Sequence, residues 1–554
     1  LESGAAERGE QRVERSVRED RALASEDSRV LPPASPVVAD HAAAPSVDGQ
    51  IDLTASALRF VYPFTFDGST LPRRAEAIEH AVWQGARQPL KIWKPQDFPS
   101  ADLLSHVAAF LHPPDDSIRT AALWRMDEPA LRSPAGLGGG AEHAGAAWTL
   151  VTRHGDIPFV LHEVSLALFR HGVGFLTIAA RPTSRTPDAW FDFLHHFRFI
   201  SGQRAAVVRA ERALAPDEDG AASPRATYFP TVAGPDRDGQ PHHMGEIVDG
   251  LLGAGTTGGE PNRWWEEVFV PGMLLPYASL FVDGCDPARA GEMLFRLRNF
   301  FHATQDVHPA VEPPDDPLAL PYSEGQWFFF SLNGGGFLAR DAPATPFFRQ
   351  TLPAHIAQQY FLLFLLALQQ RFVLMMLSQE VSRRWVAAGA DISDADRVAA
   401  FARIRDALLA FTAQGYFAQT MQEEHHHRCY ERWQQTFQLA RLYDEVNAEV
   451  REMFADLDLR QRHAAARLAE QQERQSKTME RRLNLIGFLI GVPVWLFVLI
   501  NSSINLGTVR SELFRAGPIG IQWYDLLLSI GLGATGVGLA LILYRLLAAR
   551  SRQR

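Results

Sequence analysis

The chain has 554 residues, 46% of them hydrophobic and 21% charged. That is enough for about two to four domains with cores of ordinary size. A formal net charge of −10 lacks the basic surplus of a nucleic-acid binder, so no nucleic-acid partner is expected. The two cysteines, Cys285 and Cys429, lie far apart and fit no metal spacing. A reducing compartment without a disulfide framework is therefore expected. Residues 1–30 are charged and mixed, with no apolar stretch of a secretory signal.

Residues 1–50 are poor in large apolar side chains, a composition that cannot offset the entropy of ordering. They are predicted to form a disordered leader. Residues 51–350 mix short strand and helix patterns and are predicted to form an α/β or α+β domain with at least partly antiparallel pairing. Glu163–Arg170 and Val173–Ala180 are β-rich runs around His171-Gly172, a hairpin signal. Thr186-Pro187-Asp188 then opens a helix to about Phe197, with a cap residue, a first-turn proline and an acid in place. Trp327–Leu332 and Phe337–Ala339 flank Asn333-Gly334-Gly335-Gly336, a second hairpin candidate. The Gly-rich stretches 137–145, 251–260 and 332–337 lack the Lys-Ser/Thr of a phosphate loop and read as loops and turns.

Residues 351–482 read as helical. Tyr360–Leu377 is apolar enough to resemble a span, but Gln369-Gln370-Arg371 interrupts its centre. An Arg there costs roughly 2.5–3.5 kcal/mol on insertion scales, so a buried core helix is the better reading. A second helix is expected near Ala395. A long helix follows from about Glu431, with a coiled-coil-like stripe through Leu439, Leu442, Val446, Val450, Met453, Leu457, Ala464 and Leu468. The stripe fades into the polar run 471–482.

Residues 483–554 read as a two-helix membrane domain with a basic tail. Leu483–Ile500, extended weakly to Ile504, and Leu526–Leu547 are each long enough to cross a hydrocarbon core of roughly 30 Å. Arg474, Lys477, Arg481 and Arg482 precede the first span, and Arg545, Arg550, Arg552 and Arg554 close the second. The link holds only Arg510 and Arg515. By the positive-inside rule both termini are cytoplasmic in a multi-pass plasma-membrane protein. Trp523 and Tyr524 suit the outer interface, and Ala534 and Gly538 permit close helix packing.

This order of parts resembles the CorA-type magnesium transporters. The resemblance covers roughly residues 51–554, with VSLALFRHGVGFLTIAA (164–180) and its following helix similar to the family's N-terminal domain. It implies a homopentamer whose first span lines the pore, with Mg²⁺ or another divalent cation as cargo and no organic cofactor. The family's Gly-Met-Asn triplet is absent. By position, Asn505 is the counterpart of its Asn, with Ser503 and Ile504 at the other two places and Asn501 as the rival. Neutral amide and hydroxyl oxygens at a pore mouth could hold a hydrated divalent cation. The plain alternative is that they cap a helix end among lipid headgroups.

Two further groups carry double readings. Lys477, Arg481, Arg482 and Arg545 form a basic collar that either meets anionic lipid or rings a cytosolic pore mouth. In Glu423–Cys429, consecutive histidines point about 100° apart, but His425 and Cys429 are an i, i+4 pair that could share a metal ion. Otherwise the segment is a solvated helical turn or a bend between helices. No catalytic set is present by motif, so an enzyme is not expected. Beside the transporter stands a second reading: a membrane-tethered sensor that keeps the scaffold and binds a ligand or protein through its cytosolic domain.

Overall fold

The computed structural model describes residues 49–84, 89–113, 119–131, 147–213, 225–228, 244–253, 263–267, 272–307, 319–387 and 394–513, with single positions 531, 534, 538, 541, 542 and 545. The chain divides into two compact units, Leu1–Glu449 and Val450–Arg554. The leader expected over 1–50 lies outside the described residues, except for Gly49 and Gln50.

The first unit is α+β, built on one mixed sheet of fourteen strands among the described residues. Its main path uses β1 (Ala57–Thr65), β3 (Ala147–Val151), β4 (Ile157–Phe169), β5 (Val173–Pro182), β6 (Val207–Ala213), β7 (Arg225–Tyr228), β8 (Leu275–Asp283), β9 (Ala319–Ser323), β10 (Gln326–Ser331) and β11 (Gly334–Arg340), while β2 (Ala121–Met126) pairs beside β4. The order along the path is β7-β6-β3-β4-β5-β1-β8-β11-β10-β9. Every pair on it is antiparallel except β8 with β11, which run parallel.

Both faces of the sheet are covered. On one face, Phe60 of β1 meets Phe197 at 4.6 Å and Phe193 at 5.9 Å on α2 (Pro187–Phe197), which follows α1 (Leu71–Glu79). On the opposite face, the guanidinium of Arg59 lies 5.0 Å over the ring of Phe361. Tyr277 of β8 stacks on Phe364 at 5.3 Å on that same side. Adjacent strand residues point to opposite faces, so neighbours Arg59 and Phe60 define a three-layer sandwich. Each central strand ends in an Asp-capped 3₁₀ turn: Asp67 accepts from Ser69 N after β1, and Asp286 accepts from Ala288 N after β8. A helix follows each turn, α3 (Ala290–Asn299) in the second case.

The first hairpin forms as its sequence indicates, Phe169 pairing with Val173, and α2 begins after Thr186. The second hairpin differs. Ser331 pairs with Gly334, so the turn is Leu332-Asn333 and the three glycines belong to strand β11. Close approach explains them. A Cβ at Gly335 would stand 2.5 Å from the indole of Trp433 and 2.4 Å from Phe329 O. The stretch 137–145 lies outside the described residues. Of 251–260, the first three residues end the helix Met244–Gly253.

Helices α4 (Phe361–Ala387) and α5 (Asp394–Gln414) follow, then α6 (Glu424–Thr436) and α7 (Leu439–Leu513). The helical run Phe347–Arg383 is long and apolar enough to cross a membrane by length and composition, yet 83% of its most apolar window is buried inside the protein. Its polar centre is used inward. Gln370 Nε2 donates to Gly415 O and Phe417 O at 3.2 and 3.3 Å, and Arg371 Nη1 donates to Leu332 O at 2.7 Å.

The long helix starts later than Glu431. Residues 424–436 form a separate helix, and the chain breaks at Phe437-Gln438, where Gln438 takes a left-handed φ of 53°. The stripe then begins at Leu439. Leu439, Val446, Val450, Met453 and Leu457 are buried. From Asp458 to Leu499 every residue whose burial is described is exposed, apart from half-buried Val492 and Leu496. Ala464 and Leu468, expected to continue a packed stripe, are exposed in the single chain.

Candidate functional site

The residues expected at a pore mouth lie within α7. Asn501, Ser503, Ile504 and Asn505 are all helical, and the helix continues to Leu513. None of them is at a helix end, so the capping role falls away. Asn501 and Asn505 are four residues apart in this helix. The link expected from Asn501 is helical over its first thirteen residues, 501–513. Of the second span, Gly531, Ala534, Gly538, Leu541, Ile542 and Arg545 are helical, and the rest lies outside the described residues.

Of the basic collar, Lys477, Arg481 and Arg482 are exposed on α7, and Arg545 is exposed at a helical position. Lys477 pairs with Glu473 at 2.5 Å. Asp456–Arg460, Asp458–Arg462 and Glu470–Arg474 repeat that spacing, each acid preceding its base by four residues. This orientation supports a helix that meets water. The apolar run beyond the collar is equally exposed: Trp495 is 66% and Phe497 70% accessible, with Leu489, Ile490 and Val494 alongside.

His425 and Cys429 sit on α6, but in different surroundings. His425 is exposed, its ring 6.2 Å from Tyr322. Cys429 is buried, and burial pushes its thiol well above the usual range. Among the described residues no three His, Cys, Asp or Glu side chains stand so as to hold a metal ion.

The unusual residue here is the neighbour, His426. It is 3% exposed, and neither ring nitrogen has a hydrogen-bond partner. Its ring lies 4.7 Å from Tyr360, whose hydroxyl is also unpartnered. The hydroxyl of Tyr277 and Oε1 of Gln359 are buried without partners as well. Tyr360 and Gln359 lie on a π turn, Ile356–Tyr360, of the kind that often marks functional positions. Burial, then the nearby charge of His425, lowers the His426 pKa to about 4. Burial raises the Tyr277 and Tyr360 hydroxyls strongly. The sequence signals only the run of three histidines; the tyrosines come from a strand and a turn far away along the chain.

A second histidine group was not singled out from the sequence. His154, His196, His195 and His302 form a closed ring of contacts, with centroids 6.0, 4.9, 5.1 and 5.8 Å apart in turn. His195 Nδ1 bonds Phe300 O at 2.9 Å, and Asp192 Oδ1 accepts from Ala303 N at 2.7 Å. Burial is the leading cause lowering His195, His196 and His302, His196 to about 4.

Taken together, these features define an α+β unit followed by helices, the last of which carries an exposed apolar run. No family model, no curated protein and no solved structure matches the chain.

Proposed function

We propose that the chain is a membrane-anchored homo-oligomer of CorA-like plan that conducts divalent cations, Mg²⁺ by default. The observation that carries this reading is the exposure of the run after Arg482. Leu483, Ile486, Phe488, Leu489, Ile490, Val494, Trp495 and Phe497 are exposed around the whole helix. A helix apolar on every face needs lipid or partner helices around it. The collar of Lys477, Arg481 and Arg482 would sit at the cytoplasmic headgroups. Asn501 and Asn505, four residues apart, would offer amide oxygens to a hydrated ion in a symmetric, by analogy pentameric, pore.

The test is Mg²⁺ entry into proteoliposomes containing the full chain, read with an internal dye, beside Asn505→Ala and Asn501→Ala. Rapid entry that either variant loses supports conduction. Absence of entry for any divalent cation, from a folded oligomer, rejects it.

One observation favours the tethered-sensor reading. The buried polar group around His426 and Tyr360 is built into the sheet-bearing unit, and the pore reading assigns it no task. Buried polar groups without partners are rare and ask for an explanation.

A further inference from the structure

We propose that His426 is an acid-operated release for helix α6, holding it docked when neutral and freeing it when protonated. This holds whether or not the chain conducts ions. His426 lies in the first turn of α6, pressed against Tyr360 of the π turn and buried with both nitrogens unpartnered. In this arrangement an imidazolium would have two N–H donors and no acceptor at hydrogen-bond distance.

The groups that face it confirm the imbalance. On its own helix are His425, with its ring 4.3 Å away, and buried Cys429. From the other elements come the ring of Tyr360, the Asp102 carboxylate and the imidazole of His355. Asp102 is the one acid acting on His426, and neither ring nitrogen is hydrogen-bonded to it. His425 and His355 both oppose a charge. Undocking would place the ring in water, where imidazole protonates near pH 6.5.

The sign follows from linkage. The docked ring, at about 4, binds protons less readily than the released one. Docking is therefore intact above pH 6.5 and weakens as pH falls toward 4. Between pH 7.5 and 5.5 the released population should rise about tenfold. The release would act next to the Gln438 break and the start of α7.

Cys429 is the reporter, one turn from His426 and buried when α6 is docked. The measurement is its attack on a pyridyl disulfide, which forms a mixed disulfide, expels pyridinethione and stays reactive in acid because the pyridyl nitrogen protonates. It uses the full chain in detergent carrying Cys285→Ser, with rates divided by those of an unstructured peptide thiol. The expected result is an approximately tenfold rise from pH 7.5 to 5.5 that His426→Gln abolishes. An unchanged rate, or the same rise in His426→Gln, overturns the proposal. Hydrogen exchange on the unsubstituted chain guards against a variant that fails to fold. Amides of 424–436, corrected for intrinsic rates, should open at pH 5.5 while those of β1 and β8 stay protected. Simultaneous opening of both sets also overturns it.

Discussion

Arg371 Nη1 donates to Leu332 O at 2.7 Å, joining the centre of an otherwise apolar helix to the turn of a hairpin. The same guanidinium lies 4.9 Å over the ring of Phe437, at the end of α6. Burial lowers its pKa to about 10, so it stays charged at neutral pH. One cation thus holds the hairpin turn and the α6–α7 junction against α4.

Replacing Arg371 should loosen both. Arg371→Ala removes the bond, the ring contact and the packing of the side-chain stem. We expect a loss of about 2–4 kcal/mol, seen as a lower urea midpoint.

Gly335→Ala should also destabilise the docking of α6, through sterics. The new methyl would meet the Trp433 indole and Phe329 O at distances that atoms do not adopt. The cost of such overpacking is about 1–3 kcal/mol. A change in tryptophan emission at full folding, beside a lower melting temperature, would locate the effect at Trp433.

The glycines show what the sequence could not disclose. Gly334-Gly335-Gly336 after Asn333 is the composition of a turn, and pairing with β8 and β10 makes it strand, with Trp433, ninety-eight residues beyond Gly335, crowding that position. Local signals served where the cause was local. Thr186-Pro187 opens α2 at the expected place, and Gln369-Gln370-Arg371 marks a helix that is buried in protein. The break at Gln438 has no Gly or Pro to announce it. The group around His426 was half legible: the histidine run stood out, but which of the three is buried depends on Tyr360 and the sheet.

Gln438 pays a backbone cost at φ 53° that glycine would not. Gln438→Gly should raise stability by up to about 1 kcal/mol. Thermal unfolding of the full chain in detergent would register it; a loss instead would mean that the Gln438 side chain, 3.4 Å from Arg441 Nη1, matters more.

Truncation after Arg482 should release the chain from membranes, since the exposed apolar run is then gone. Full-length chain should resist extraction at alkaline pH. Leu489→Arg, costing roughly 2.5–3.5 kcal/mol at a span's centre, should shift part of the protein to the soluble fraction.

Acid should weaken the whole sheet-bearing unit. Burial lowers His171 and His196 to about 4, as it does His426. Unfolding returns each toward about 6.5 and takes up a proton, so stability falls as pH drops through that window. With screening allowed for, each contributes at most about 1 kcal/mol per pH unit. Melting temperatures measured from pH 7.5 to 5 should decline steadily, and His196→Asn should flatten the slope.

The ion pairs of α7 have a consequence for its length. Asp456–Arg460, Asp458–Arg462, Glu470–Arg474 and Glu473–Lys477 each close within a single turn. No charge in these pairs depends on a residue farther along. Seven residues, almost two turns, could be deleted between Arg462 and Glu470 with every pair kept and the helical face nearly restored. The stretch behaves as a ruler, its span set by residue count, and so it can be lengthened or shortened in steps while the parts at either end are preserved.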